Sequence, residues 1–151
     1  MSYEAKLTAL GYTVDVGELS SGRFMRAVRT GNLVYTAGAV SAWAGEEIKG
    51  KLGQDLTIED GYKAARLATL AGLKAIKSLT GSLDTVVRVV KVLGMVNVGP
   101  GFDATPDVIH GCSDLLREVF GEAGQHARSA VGMTIPYNYA VEVELIVEVR
   151  D

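Results

Sequence analysis

Three side chains near the C-terminus have the types and spacing to perform chemistry: His126, Arg128 and Glu142. Arg128 is followed at alternate positions by Ala130 and Gly132, so in an extended strand its guanidinium would rise from a floor of small side chains. A planar guanidinium in such a place can hold a carboxylate through two parallel hydrogen bonds. The alternative is that Arg128 only pairs with a surface glutamate.

Glu142 and His126 could handle protons beside that arginine. Glu142 and Glu144 alternate with valines, and a carboxylate partly removed from water has a raised pKa and can orient or deprotonate a water molecule. His126 precedes Arg128 by two residues, so it would face the same way and could carry a proton or contact an anion. The alternatives are solvated glutamates, with Glu148 among them, and a loop histidine.

The other metal-type and nucleophile-type residues do not form a recognisable site. His110, Cys112 and His126 are too few and too dispersed for a metal, and no zinc-type spacing is present. Cys112 falls on the apolar stripe of a predicted helix, which indicates buried packing, while His110 lies off that stripe and is expected in solvent. The glycines follow no phosphate-loop or dinucleotide spacing.

Two alternating segments carry the candidate residues. In residues 139–149 the odd positions are apolar, and in residues 128–135 one face carries Ser129, Val131, Met133 and Ile135. Residues 136–138, Pro-Tyr-Asn, suit a turn between them. We therefore predict an antiparallel hairpin whose apolar faces join one core, which leaves Arg128 and Glu142 on the opposite, polar face.

The register of that hairpin predicts where the two charged groups lie. With the turn at Tyr137, Arg128 would lie opposite Ile146, and Glu142 would be displaced along the strand by about 13 Å. Both groups of one chain could not then clasp one small molecule. If they serve one site, we expect them to come from different subunits.

The rest of the chain predicts a single two-layer α+β domain over residues 1–151. The expected order after a short helical lead is β-β-α-β-α-β-β, with two helices on one face of a mixed sheet. The predicted elements are a helical lead at 3–10, strands at 24–30 and 33–40, a surface loop at 43–54, a helix at 57–79, a strand buried on both faces at 86–98, a helix from 105 to about 121, and the terminal hairpin. The uncovered sheet face is expected to be covered by another copy of the chain.

Composition restricts the class of protein. A 48% hydrophobic share with 22% charged residues is typical of a globular domain. The net charge of −3, with dispersed Lys and Arg, gives no support for a nucleic-acid partner. Cys112 is the single cysteine and permits no intrachain disulfide. With no secretory or membrane-spanning apolar run, this predicts a cytoplasmic protein without a membrane partner.

Four segments of the chain resemble the RidA/YjgF family. They are residues 31–38 (Gly-Asn-Leu-Val-Tyr-Thr-Ala-Gly), 83–87 (Leu-Asp-Thr-Val-Val), 127–131 (Ala-Arg-Ser-Ala-Val) and 141–144 (Val-Glu-Val-Glu), of which the last two are the most specific. The similarity extends from about residue 22 to the end. It implies a chorismate mutase-like fold and a homotrimer with ligand sites between subunits. It also implies hydrolysis of reactive enamines and imines of 2-amino acids to 2-keto acids and ammonia, without a metal or organic cofactor.

The same resemblance assigns roles to residues and also shows departures. It implies that Arg128 holds the substrate carboxylate and that Glu142 positions a water. The usual Gly-Pro-Tyr-Ser-Gln is Gly-Arg-Phe-Met-Arg at 22–26, so Phe24 lacks the tyrosine hydroxyl, and the usual Ser-Gly-Gln is Ala-Gly-Ala around Gly38. The prolines before the arginine are replaced by Gln-His, so His126 could substitute for missing family groups.

The sequence leaves two functional hypotheses open. The first is a hydrolytic deaminase in which Arg128 and a backbone N–H near Ala130 bind the carboxylate, Glu142 orients the water and His126 assists; Phe24 and Gly38 would line the substrate. The second is a non-catalytic module that uses Arg128 to bind a small carboxylate or carbonyl metabolite. Some family members are described as ribonucleases or translation inhibitors, which the acidic charge here does not favour.

Overall fold

The computed structural model describes residues 1–151 and shows two long helices against one face of a mixed sheet. The helices are α1 (Tyr3–Ala9), α2 (Ile58–Thr80) and α3 (Thr105–Phe120). The strands are β1 (Ala27–Thr30), β2 (Leu33–Thr36), β3 (Ala39–Val40), β4 (Ala42–Trp43), β5 (Glu46–Glu47), β6 (Val86–Asn97), β7 (Ala127–Met133) and β8 (Val141–Val149). The α+β class and the order of the main elements are therefore confirmed.

Local signals define the ends of the long helices. Thr57 and Asp60 form a reciprocal capping box at the start of α2, and Gly81 ends that helix in the left-handed conformation, with φ of 86°. Pro106 lies in the first turn of α3. The two helices cross closely, because a Cβ on Gly111 would overlap the carbonyl of Tyr62.

The predicted terminal hairpin is wrong, because β6 lies between its two strands. The sheet order is β1-β2-β8-β6-β7, with β3 continuing the β2 edge along β8. β8 pairs antiparallel with β6, whereas β7 pairs parallel with the other edge of β6. Arg128 therefore lies opposite Val92 and not opposite Ile146, and Val92 in turn lies opposite Leu145.

The faces of β8 are as predicted, but those of β7 are inverted. The odd residues of β8 are buried under the helices, and the even ones, including Glu142, lie on the open face. Ser129 accepts a hydrogen bond from Lys91 on that open face, so Ser129, Val131 and Met133 lie there too. Successive side chains of a strand alternate between its two faces. Since Ser129 lies on the open face, Arg128 faces α3.

Three smaller predictions also need correction. The segment at 43–54 is not only a surface loop, because it contains β5 and the fully buried Leu52. The strand predicted at 33–40 is interrupted into β2 and β3. The valine-rich β6 is buried on one face only, since Arg88 is exposed and Met95 is half-buried. No helix is both long enough and apolar enough to cross a membrane.

Candidate functional site

Arg128 lies near the start of β7, against the middle of α3. Its Nη1 donates to Oγ of Ser113 at 3.2 Å and lies 3.0 Å from Nδ1 of His110. Because an arginine nitrogen can only donate, His110 must accept through an unprotonated Nδ1. Both partners are neutral acceptors, and these contacts use Nη1 alone. The Nε and Nη2 side of the guanidinium thus forms no hydrogen bond within the chain.

His126 is connected to the arginine through Ser113. Its Nδ1 lies 2.6 Å from the carbonyl of Gly124, which can only accept, so Nδ1 carries the proton. Its Nε2 lies 2.9 Å from Oγ of Ser113 and therefore accepts the serine hydroxyl. The pKa of His126 is lowered, mainly because the ring is partly buried. The hydrogen bond to Gly124 raises the pKa, but the positive charges of Arg128 and Arg117 lower it further. The histidine is neutral and orders the hydroxyl that supports Arg128.

Glu142 lies on the open face of the sheet, opposite Met95 of β6 and Val40 of β3. A Cβ on Gly38 would overlap its carboxylate, so the glycine allows the backbone to approach the acid closely. Burial, first, and the negative charge of Glu144 raise the pKa of Glu142. No cation or hydrogen-bond donor counteracts that rise, which leaves a half-buried carboxylate without compensation.

Arg128 and Glu142 of one chain are on opposite faces of the sheet. Two strand spacings separate their strands, or about 10 Å, and three residues of rise add about 10 Å along the strands. The expectation that they share one face is therefore wrong. One chain still cannot bring both groups to one small molecule, because they are separated both along and across the sheet and lie on opposite faces of it.

The remaining predicted residues divide between the two regions. Phe24 is 54% exposed, and the carbonyl of Arg26, two residues later, accepts from the N–H of Ala37. Phe24 and Gly38 thus belong to the Glu142 end of the sheet. Ala130 belongs to the Arg128 side, where its carbonyl accepts from the hydroxyl of Thr105 at 3.0 Å.

Three cavities border these elements. One of about 420 Å³ at the β7 edge is lined by Ser113, Arg117, Gln125, His126 and Arg128. A second of about 450 Å³ lies on the open face beside Lys91 and Glu144. The largest, of about 710 Å³, lies between α2 and the β4–β5 hairpin around Trp43, and none of the predicted site residues line it. Of these three, only the cavity at the β7 edge contains Arg128, the side chain that the sequence analysis predicts to bind a carboxylate.

Cys112 belongs to the core and not to a site. It is fully buried, and burial raises the pKa of its thiol to about 12, so it is not a thiolate nucleophile at neutral pH. No group of three or more His, Cys, Asp or Glu side chains is arranged to hold a metal ion.

The sequence did not single out Ser113 or Arg117. His110 is exposed, as predicted, but its contact with Arg128 was not foreseen. His110 and Ser113 are three residues apart on α3, a spacing that places them on one helix face. Nothing local indicates that this face meets β7, so the contact with Arg128 could not be read from the spacing.

Comparisons with known proteins match nearly the whole chain. Residues 4–149 match the family model described as "YjgF/chorismate_mutase-like, putative endoribonuclease". Protein TCP17 of Trypanosoma cruzi is 35% identical over 150 residues, which cover 97% of this chain and 94% of that protein.

Two solved structures of similar sequence have the same fold. Atu1372 from Agrobacterium tumefaciens, whose function is unknown, is 35% identical with a TM-score of 0.89, covering 98% of this chain and 93% of that one. A protein from Shewanella oneidensis MR-1, named as an endoribonuclease, is 31% identical with a TM-score of 0.91, covering 99% and 100% of the two chains.

Proposed function

Because the chain belongs to the YjgF/chorismate mutase-like family, we propose that it hydrolyses small enamines or imines of 2-amino acids to 2-keto acids and ammonia. The observation that carries this proposal is a pair of uncompensated charges at two motif positions. Arg128 has only neutral partners, and Glu142 has no cation or donor beside it. A partly buried guanidinium and a partly buried carboxylate that lack an opposite charge are suited to act on a ligand.

Arg128 would anchor the substrate carboxylate. Ser113 and His110 hold Nη1, so the Nε–Nη2 side can form the two parallel bonds that a carboxylate accepts. His126, which accepts the Ser113 hydroxyl, acts as a positioning residue for this arrangement. We assign Ala130, on the same side of β7, to the wall of the carboxylate pocket.

Glu142 would activate the water. A carboxylate with a raised pKa can take a proton from water as the oxygen adds to the C=N carbon, and can return that proton to the nitrogen. In the resulting amino alcohol the hydroxyl proton passes to the nitrogen, again through Glu142, and the C–N bond breaks as the C=O bond forms, which releases ammonia and leaves the keto acid. Gly38 and Phe24 lie at this end of the sheet and would line the substrate.

The two halves would meet between subunits of a homotrimer. Several large apolar side chains of the open face are exposed in the single chain: Val28, Tyr35, Val131 and Met133. A second copy laid on this face would bury them and could bring the Glu142 side of one chain to the Arg128 side of another. The single buried cysteine suits the reducing cytoplasm, where we propose that the protein acts.

The second candidate is a non-catalytic module for small carboxylates. It is favoured by one observation, that Arg128 is fully positioned by its own chain, whereas Glu142 is not brought to it. Binding then requires only the arginine side.

A deaminase assay tests the two candidates. The substrates are 2-aminoacrylate or 2-iminobutanoate generated in situ, with keto acid and ammonia measured for the parent, Arg128→Ala, Glu142→Gln and the same-face control Glu148→Gln. Turnover that is lost in the first two variants and kept in the control would support the deaminase. A parent that binds keto acids through Arg128 but does not accelerate hydrolysis would instead identify the binding module.

Two further measurements complete the test. Light scattering should give three times the monomer mass, and a stable monomer would refute the shared site. Incubation with RNA tests the activity in the family description, and we expect no cleavage, because the chain is acidic with dispersed basic residues.

A further inference from the structure

The cavity at the β7 edge contains two guanidinium groups, those of Arg128 and Arg117. They share about 420 Å³ with Ser113, Gln125 and His126. The cavity is an open groove at the surface, and none of its lining residues is hydrophobic. One arginine suffices for the carboxylate that every 2-amino acid derivative carries, so the second requires its own explanation.

Arg117 is exposed and forms no salt bridge with the acidic side chains of its own helix. Asp114, three residues earlier, accepts the hydroxyl of Tyr62 at 2.6 Å. Glu118, the next residue, pairs with Arg66 at 3.1 Å. Both carboxylates are thus engaged with side chains of α2. Together with Glu122 they also line a neighbouring groove that includes Arg117 and Gln125. None of these three acids forms a salt bridge with Arg117.

Arg128 lacks an anionic partner as well. Its Nη1 is held by His110 and Ser113, and neither guanidinium of the cavity takes part in any salt bridge of the chain. His126, which lines the same groove, has a lowered pKa, owing first to burial, and so adds no charge of its own at neutral pH. The cavity thus carries two positive charges in a protein whose net charge is −3. A ligand with two negative groups would balance both.

We propose that Arg117 is a specificity-determining residue that binds a second carboxylate, so that the site prefers derivatives of dicarboxylic 2-amino acids. Arg128 holds the carboxylate next to the reacting carbon, and Arg117 holds the one at the far end of the chain. Gln125, which also lines the cavity, can donate its amide N–H to the same group. The substrate class rests on the proposed deaminase, whereas the two-carboxylate site does not.

A matched pair of ligands tests the site without requiring turnover. 2-Oxoglutarate and 2-oxopentanoate have the same five-carbon chain and differ by one terminal carboxylate. In calorimetric titrations of the parent we expect 2-oxoglutarate to bind at least about tenfold more tightly, in line with a charge-assisted contact. In Arg117→Gln the two ligands should bind alike, while the loop variant Arg23→Gln should keep the parent's preference.

The contrary results are equally specific. A parent that binds the two ligands equally, or an Arg117→Gln variant that keeps the preference, would overturn the assignment. Displacement of 2-oxoglutarate by equimolar inorganic phosphate would also overturn the assignment. The cavity would then bind any anion, whether or not it carries two carboxylates at the ends of a carbon chain.

Kinetics and NMR separate this inference from the proposed reaction. With imines generated from glutamate and norvaline, Arg117→Gln should raise KM about tenfold for the first and leave the second unchanged. The ring signals of His126 should titrate at higher pH with 2-oxoglutarate bound, since the ligand offsets both guanidinium charges. If no imine is hydrolysed but the binding preference depends on Arg117, the deaminase fails and the two-carboxylate site stands.

Discussion

The Arg128 region and the Glu142 region differ in how completely their own chain supports them. Arg128 is fixed by Ser113 and His110, and Ser113 is ordered in turn by His126. Glu142 has no hydrogen-bond donor or cation beside it, and only the absence of a side chain at Gly38 makes room for it. The orientation of the arginine is therefore fixed by its own chain, whereas the carboxylate of Glu142 has no partner within the chain.

This difference is what the proposed site between subunits requires of its two halves. A positively charged anchor must be rigid to form two parallel bonds, so its supports are built into one chain. A proton-transferring acid needs a raised pKa, which a half-buried position without cations provides. Each prediction below changes one region and leaves the other intact.

The largest effect is expected from Arg128→Ala. Loss of a charge-assisted, two-bond contact of roughly 1.5–3 kcal/mol per bond should weaken 2-keto acid binding by about 10²–10⁴-fold. Arg128→Lys should recover little of this, because an ammonium cannot reproduce the planar fork. Calorimetric titration with 2-oxobutanoate measures both, with Arg23→Lys as the control. Parent-like affinity in the alanine variant would place the anchor elsewhere.

Glu142→Gln should lower kcat by about 10²-fold or more while carboxylate binding persists. It should also stabilise the fold at neutral pH. Because the pKa of Glu142 is raised in the folded state, the protonated carboxyl stabilises the parent. That stabilisation is fully present below the ordinary pKa of 4.5 and is lost as pH rises through the folded pKa, whereas the neutral glutamine keeps its stability. Chemical denaturation should therefore show the variant to be more stable than the parent at pH 7 and equal to it near pH 4.

Mixed trimers sharpen the same comparison. Co-expressed Arg128→Ala and Glu142→Gln chains should regain part of the parent's activity, because some interfaces then combine an intact arginine side with an intact glutamate side. Neither variant alone should show it. Mixed trimers that stay inactive beside an active parent would mean that the two residues do not serve one site.

Gly38→Ala should have a smaller effect that depends on Glu142. The added methyl overlaps the carboxylate, which is the flexible end of a side chain and can move aside, so we expect a destabilisation of about 1 kcal/mol, the lower end of the cost of overpacking. Activity should fall because the acid is displaced. A double-mutant cycle checks this, since in the Glu142→Ala background the stability cost of Gly38→Ala should disappear.

The smallest effect concerns His126 and pH. Its lowered pKa means that the unfolded chain binds the proton more readily, so stability should fall as pH drops below the ordinary value of 6.5 and level off below the folded pKa. In Arg128→Gln the pKa should rise but stay below 6.5, since burial is the larger cause. NMR titration of the ring protons measures the change. An unchanged titration would show that the two side chains are not coupled.

Several features of this protein were determined by local sequence. The capping box at Thr57 and the glycine at position 81 define α2, and the alternation of Val and Glu in 141–149 defines β8 and its faces. The motifs around Arg128 and Glu142 indicate the family that residues 4–149 match. These signals are readable because caps, periodicity and motifs depend on residues a few positions apart.

Only the tertiary structure decided the order of the strands and the facing of Arg128. A strand of period two offers two equivalent edges and two faces, and its own residues do not say which neighbour or which layer it meets. Here β6 lies between β7 and β8. Arg128 faces Ser113 and His110 of α3, and Glu142 lies on the other face of the sheet. The contacts of Arg128 span 15 and 18 residues of chain, beyond the reach of any local pattern.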